Sequence, residues 1–211
     1  MSTCDVERRV TQPAWQRGFT LIELVLFIVI VGIAVTGILV VYTNTVRHSA
    51  DPVIRKQMLA IAEAMLEEIK LMPFTYCDPD DANAATSGAA LVGVGNCAAT
   101  VESIGPEAGE TRYVAATPFD NVNDYAGFDT ASAVPPGIAD LSGTVIGGLA
   151  GYQAQVSATT QSLGPAGGLI AAVDGNGAAQ VLQLTVTVTA TGGDSVSLSG
   201  YRARFAPNAV P

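Results

Sequence analysis

Residues 19–42 read FTLIELVLFIVIVGIAVTGILVVY. Glu23 is the only charge in this stretch, and Thr20 and Thr36 are the only threonines. About 20 apolar residues in a helix cross the hydrocarbon core of a bilayer, and this run is longer. A helix packed into a soluble core would keep a polar face, and this one has none. The stretch therefore predicts a membrane-spanning helix.

Before it, residues 1–18 read MSTCDVERRVTQPAWQRG and carry Arg8, Arg9 and Arg17. Cations ahead of the span and an acidic remainder behind it place the N-terminus in the cytoplasm and the bulk of the chain outside it. A secretory signal would show a small-residue cleavage site after the apolar run, and none follows Tyr42.

Beyond the span the helical pattern continues over 43–72. Ala50, Ile54, Met58, Ile61, Met65 and Ile69 recur at three- and four-residue steps, which makes one apolar stripe. Arg47, Asp51 and Arg55 follow at four-residue steps on another face. Pro52 predicts a bend, and Pro73 ends the element. Gly32 and Gly37 allow close approach of neighbouring helices in the membrane. A helix over 19–71 would be about 80 Å long at 1.5 Å per residue.

From 73 to 211 the pattern changes to a β-rich head. Tyr152, Ala154, Val156 and Ala158 alternate with polar residues, and Leu184, Val186, Val188 and Ala190 alternate with threonines. Residues 192–194, Gly-Gly-Asp, make a turn, and 195–205 returns as a strand in which Gly200 suggests a bulge. Residues 113–116 suggest an earlier strand, and the Gly/Ala-rich stretch 164–177 a hairpin loop. The predicted fold class is α+β: a long N-terminal helix, half transmembrane and half amphipathic, packed on an antiparallel sheet.

Composition narrows function. Of the 211 residues 49% are hydrophobic and 14% charged, against about 25% charged in an ordinary soluble domain. Ten Lys+Arg against 19 Asp+Glu give a net charge of −9, which disfavours nucleic acid as a partner. One histidine, His48, and three cysteines leave little material for a His-dependent triad or a His-rich metal site. His48 reads as a solvated juxtamembrane residue, and the G-x-G of residues 93–95 lacks the third glycine of a dinucleotide loop. No enzyme activity and no cofactor are expected.

The junction at residues 17–23, RGFTLIE, resembles the class III signal of type IV pilins and type II secretion pseudopilins. The resemblance implies cleavage between Gly18 and Phe19, with 1–18 as a cytoplasmic leader, and N-methylation of the new N-terminal Phe19. Glu23 becomes the fifth mature residue, pairing with the free amine of Phe19 on a neighbouring subunit to set filament register. An α-amino group near pKa ~8 is mostly cationic at neutral pH, so the pair is charge-complementary. The plainer alternative lets Glu23 sit at the membrane interface beside the positive end of the helix dipole. Implied partners are other pilin subunits, the prepilin peptidase and methyltransferase, the inner-membrane pilus assembly machinery and the membrane itself. Implied location is the inner membrane, by a single pass, and then the periplasm or a surface pilus.

Two head segments, 74–81 (FTYCDPDD) and 119–128 (FDNVNDYAGF), resemble minor pilins of the mannose-sensitive haemagglutinin pilus system. That likeness implies a structural subunit acting in pilus assembly or surface attachment. The alternatives are a type II secretion pseudopilin and, from a different class, a membrane-anchored binding domain or enzyme. Segment 119–128 reads as a loop packed across the sheet, with sugar or ion binding as the other reading. Asp78, Asp80 and Asp81 offer clustered carboxylates to Ca²⁺, without the EF-hand spacing, and otherwise form an acidic surface turn. Removal of the leader takes Cys4 with it, leaving Cys77 and Cys97 in an oxidising compartment, where a disulfide is expected. Two free buried thiols are the alternative.

Overall fold

The computed structural model describes residues 18–165 and 169–210, with the side chains of 44–51 left outside that description. The leader residues 1–17 therefore lie outside it, as do the side chains of Arg47, His48, Ala50 and Asp51. Helix α1 covers Leu21–Leu71. Three strands follow: β1 (Tyr152–Thr160), β2 (Val181–Ala190) and β3 (Ser195–Ala203). The architecture is the α+β, pilin-like one expected. The chain divides into two compact units, residues 1–50 and 51–211, each described by itself.

In the first unit, every residue from Leu21 to Thr43 is exposed, and this stretch has a mean hydropathy of 3.2. The two threonine hydroxyls inside it bond back to the helix. Thr36 Oγ1 donates to Gly32 O at 2.7 Å and Thr43 Oγ1 to Val40 O at 3.0 Å. That closes their polar groups within the segment, as a hydrocarbon environment requires.

In the second unit the sheet is an antiparallel meander in the order β1-β2-β3. Its registers place Ala154, Val188 and Val196 in one cross-strand row and Val156, Val186 and Leu198 in the next. Period-two alternation sends these rows to one face, where Met58, Ala62, Met65, Leu66 and Ile69 of α1 join them in the buried core. Ala62 and Leu66 widen the predicted stripe, because facing a flat sheet takes a broader band than a single row. On the opposite face hydroxyls pair across the strands, Thr185 with Ser199 and Thr187 with Ser197, each at 2.9 Å.

Two strand-level expectations need correction. Gly200 makes no bulge: it stands in register opposite Leu184. A Cβ there would lie 2.5 Å from Lys70 Cε and 3.5 Å from Leu66 Cδ2, so the glycine admits the helix side chains over the sheet. Residues 113–116 form turns rather than a strand. The bonds around them close locally, with Thr111 N donating to Thr117 O and Thr117 N to Val114 O.

The free edge of β1 is covered by the 119–128 region and its continuation. Gly127 N donates to Val156 O, Val156 N to Phe128 O and Thr130 N to Ala154 O. Gly127 holds φ +83°, a conformation that L side chains rarely adopt. Phe119, Tyr125 and Phe128 pack edge-to-face behind this seal, with ring centroids 5.1–6.5 Å apart.

Candidate functional site

Two regions carry chemistry: the start of α1 and the acidic side of the head. At the first, Thr20 caps the helix. Its Oγ1 accepts the Glu23 N–H at 3.3 Å, and its carbonyl accepts the N–H groups of Glu23 and Leu24 at 3.1 Å. Thr-x-x-Glu is the spacing of a capping box, a signal in the sequence that the reading of Glu23 as an assembly residue passed over. The helix thus begins two residues after Phe19. Phe19 is 86% exposed, and the Glu23 carboxylate has no ion pair among the described residues. Gly18, Phe19 and Glu23 therefore lie at one end of an apolar helix.

Residues 16–39 match the family model described as the prokaryotic N-terminal methylation motif. This chain carries a prepilin signal. The methylation motif supports a type IV pilin- or pseudopilin-like protein, processed by a prepilin peptidase and assembled into pilus-like complexes. With the apolar helix beside it, the motif points to membrane anchoring. No curated protein and no solved structure matches the chain.

In the head, Cys77 and Cys97 form a disulfide with Cα atoms 5.5 Å apart, and both residues are fully buried. The loop it closes is held again at Asp81. One oxygen of Asp81 accepts the N–H groups of Asn83 and Ala98, and the other those of Ala99 and Thr100, at 2.8–2.9 Å. These bonds, that of Thr100 foremost, hold the Asp81 carboxyl well below the usual carboxylate range. Asp81 thus acts as a backbone clamp, while Asp78 and Asp80 come within 4.8 Å of Asp120.

A second connection was not visible in the sequence. Arg112 donates from Nε and Nη2 to the two oxygens of Glu68, both at 2.6 Å, and from Nη1 to Ala139 O at 2.9 Å. Tyr125 OH donates to the same Glu68 at 2.8 Å. Burial works against the Arg112 charge, but the bonds and charge of Glu68 outweigh it and raise the guanidinium above its ordinary value. One carboxylate of α1 thereby holds Arg112 and Tyr125 directly and Ala139 through Arg112. Its sequence signal is slight: Glu68 follows Met65 by three residues, on the flank of the apolar stripe.

Two further groups of acids share Glu107. Oxygens of Asp78, Glu107 and Glu110 lie within 4.8 Å of one another, as do those of Glu102, Glu107 and Asp124. Burial, before all else, raises Glu102, Glu107, Glu110 and Asp124, and mutual repulsion adds to it. Asp120 is pushed up to about 6 by burial and then by Asp78, Asp80 and Glu107. Unfolded carboxyls titrate near ~4, so at intermediate pH the folded head binds more protons than the unfolded chain. Stability from these groups is complete below about 4 and is lost as pH rises through about 6 and above. Asp81 has the opposite sign and loses its contribution only as pH falls below about 4. In chelator-containing buffer the melting temperature should therefore rise as pH is lowered from about 8 to 5. Thermal scans of the full chain in detergent check this, and a fall in Tm over that range would contradict it.

Proposed function

We propose that the chain is a minor pilin, a structural subunit that enters a type IV pilus and helps its assembly or its attachment to surfaces. The observation that carries this reading is the prepilin signal at the start of an exposed apolar helix, in a chain whose head is a helix-on-sheet pilin-like fold. Cleavage falls between Gly18 and Phe19, Phe19 is N-methylated, and the freed amine pairs with Glu23 of a neighbouring subunit. The chain first spans the inner membrane with its N-terminus in the cytoplasm, and the assembly machinery then moves it into the filament. Its role is structural rather than catalytic. What favours a pilus over a secretion system is the head: segments 74–81 and 119–128, which resemble minor pilins, carry the disulfide and the aromatic seal on β1.

Deletion of the gene, followed by electron microscopy of surface pili and assay of secreted exoproteins, separates the readings. Fewer or shorter pili with normal secretion is the expected result. Normal pili with lost secretion would make the chain a pseudopilin. No change in either would leave a membrane-anchored binding domain or enzyme.

A further inference from the structure

We propose that the free edge of β3 docks β3 of a second copy of this chain, the two strands pairing antiparallel about a two-fold axis. The hydrogen bonds of the sheet define which groups are open. Gln161 N donates to Val181 O and Thr191 N to Gly151 O, so odd-numbered residues of β2 bond towards β1. Arg204 N donates to Gln180 O and Ala190 N to Asp194 O, so even-numbered residues of β2 bond towards β3. Even residues of β2 stand opposite even residues of β3. The N–H and C=O groups of Ser195, Ser197, Ser199 and Tyr201 therefore point away from the sheet, and they have no partner among the described residues.

The edge also lacks the features by which sheets keep other strands away. Its sequence, SVSLSGYRA, holds no proline and no lysine, and with Gly200 in register it has no bulge. Residues 127–130 cover the edge of β1, whereas no described residue bonds to that of β3. The core is unfinished at the same place. Val156, Val186 and Val188 are buried, but Val196 and Leu198, which end the same cross-strand rows, are only half-buried. A further strand would complete both the ladder and the rows.

Charge selects the occupant. Asp194 stands just before β3 and Arg202 near its end, and neither has an ion pair among the described residues. A complementary antiparallel strand carries an acid and then a base at that same spacing, which is the pattern of β3 itself. Pairing about Leu198 sets Asp194 against Arg202 twice, Ser197 against Ser199 and Ser195 against Tyr201. The last two pairs are the ones whose backbone groups point outward, so the register of charges and that of hydrogen bonds agree. A sheet continuous across the contact puts the two-fold axis normal to it, and the helical residues 51–71 of the two copies then run oppositely. Subunits of one filament run the same way. On the pilus reading given above, the contact therefore joins heads of two filaments, where many weak pairings act together.

The test follows the full chain in detergent micelles by analytical ultracentrifugation and amide hydrogen exchange over a range of concentrations. An edge contact buries little surface, so a dimer with Kd of about 100 µM is expected. Exchange at Ser197, Ser199 and Tyr201 should slow as the chain is concentrated. Ser199→Pro removes an N–H that β2 does not use, so the head should stay folded by its Tm while pairing weakens about tenfold or more. Asp194→Lys sets like charges opposite each other and should weaken pairing about threefold to tenfold. Ser199→Ala, which keeps the N–H, should pair like wild type. A wild type that stays monomeric up to about 1 mM would overturn the proposal and leave the edge to a strand of a different protein. Dimers unchanged in both Ser199→Pro and Asp194→Lys would also overturn it, since the apolar helices would then hold them. If Ser199→Pro does not fold, Asp194→Lys and the exchange at β3 decide. None of these results bears on the gene-deletion phenotype, which tests the pilus reading by itself.

Discussion

Glu68→Ala should destabilise the head by about 3–5 kcal/mol, the largest single-residue effect expected in this chain. The substitution leaves the Arg112 guanidinium, with 5% side-chain exposure, facing no carboxylate, and strands the Tyr125 hydroxyl as well. Removing one member of a buried pair costs far more than the pair contributes, because the survivor keeps its desolvation penalty. Arg112 retains its bond to Ala139 O and its stacking on Tyr113 and Phe128, at 5.0 and 5.8 Å from the ring centroids. Glu68→Gln should lose less, since a neutral acceptor remains for Tyr125. The double variant Glu68→Ala/Arg112→Met should recover part of the loss by removing the unpaired charge. Denaturant titration of the full chain in detergent measures all three. A loss below about 1 kcal/mol for Glu68→Ala would show that the network does not hold the loops to α1.

Glu23→Ala should act on assembly and leave stability and insertion alone. A carboxylate within a spanning helix costs about 2.5–3.5 kcal/mol on insertion scales, so its removal leaves membrane insertion unchanged or improved. Incorporation into filaments should fall by tenfold or more, since each 1.4 kcal/mol of lost pairing is a factor of ten. Thr20 Oγ1 still accepts the backbone N–H at position 23, so the start of α1 is kept and the loss is specific to the carboxylate. Immunoblots of sheared pili against membrane fractions read the two quantities separately. Equal amounts of variant and wild type in the sheared fraction would refute the pairing.

The elements legible in the sequence were those with a period. The helix over Leu21–Leu71 announced itself by its apolar run and its stripe, and β2 by the alternation of Leu184, Val186 and Val188 with threonines. Between Leu71 and Tyr152 no such pattern exists, because that region is ordered by single side chains reaching backbone and side-chain groups far away in the sequence. Asp81 reaches Thr100, Asn121 Nδ2 reaches Thr75 Oγ1, Thr130 Oγ1 accepts Ala154 N and Arg112 reaches Glu68. Each is one contact between residues 19 to 46 positions apart, and no local spacing encodes it. The same reason hid the Glu102–Glu107–Asp124 group, whose members have no local spacing that marks them as neighbours. Gly200 read as a bulge because a strand glycine has two common causes, and only the position of Lys70 tells them apart. At the start of α1, by contrast, residues 17–23 were legible as a motif, since the chemistry there depends on neighbours in sequence.

Processing at that junction is tested most directly by the intact mass of the protein extracted from membranes. The predicted species lacks residues 1–18, begins at Phe19 and carries one added methyl group on its amine, with Cys77 and Cys97 joined. An N-terminus at Met1, or one produced by cleavage after Tyr42, would contradict it.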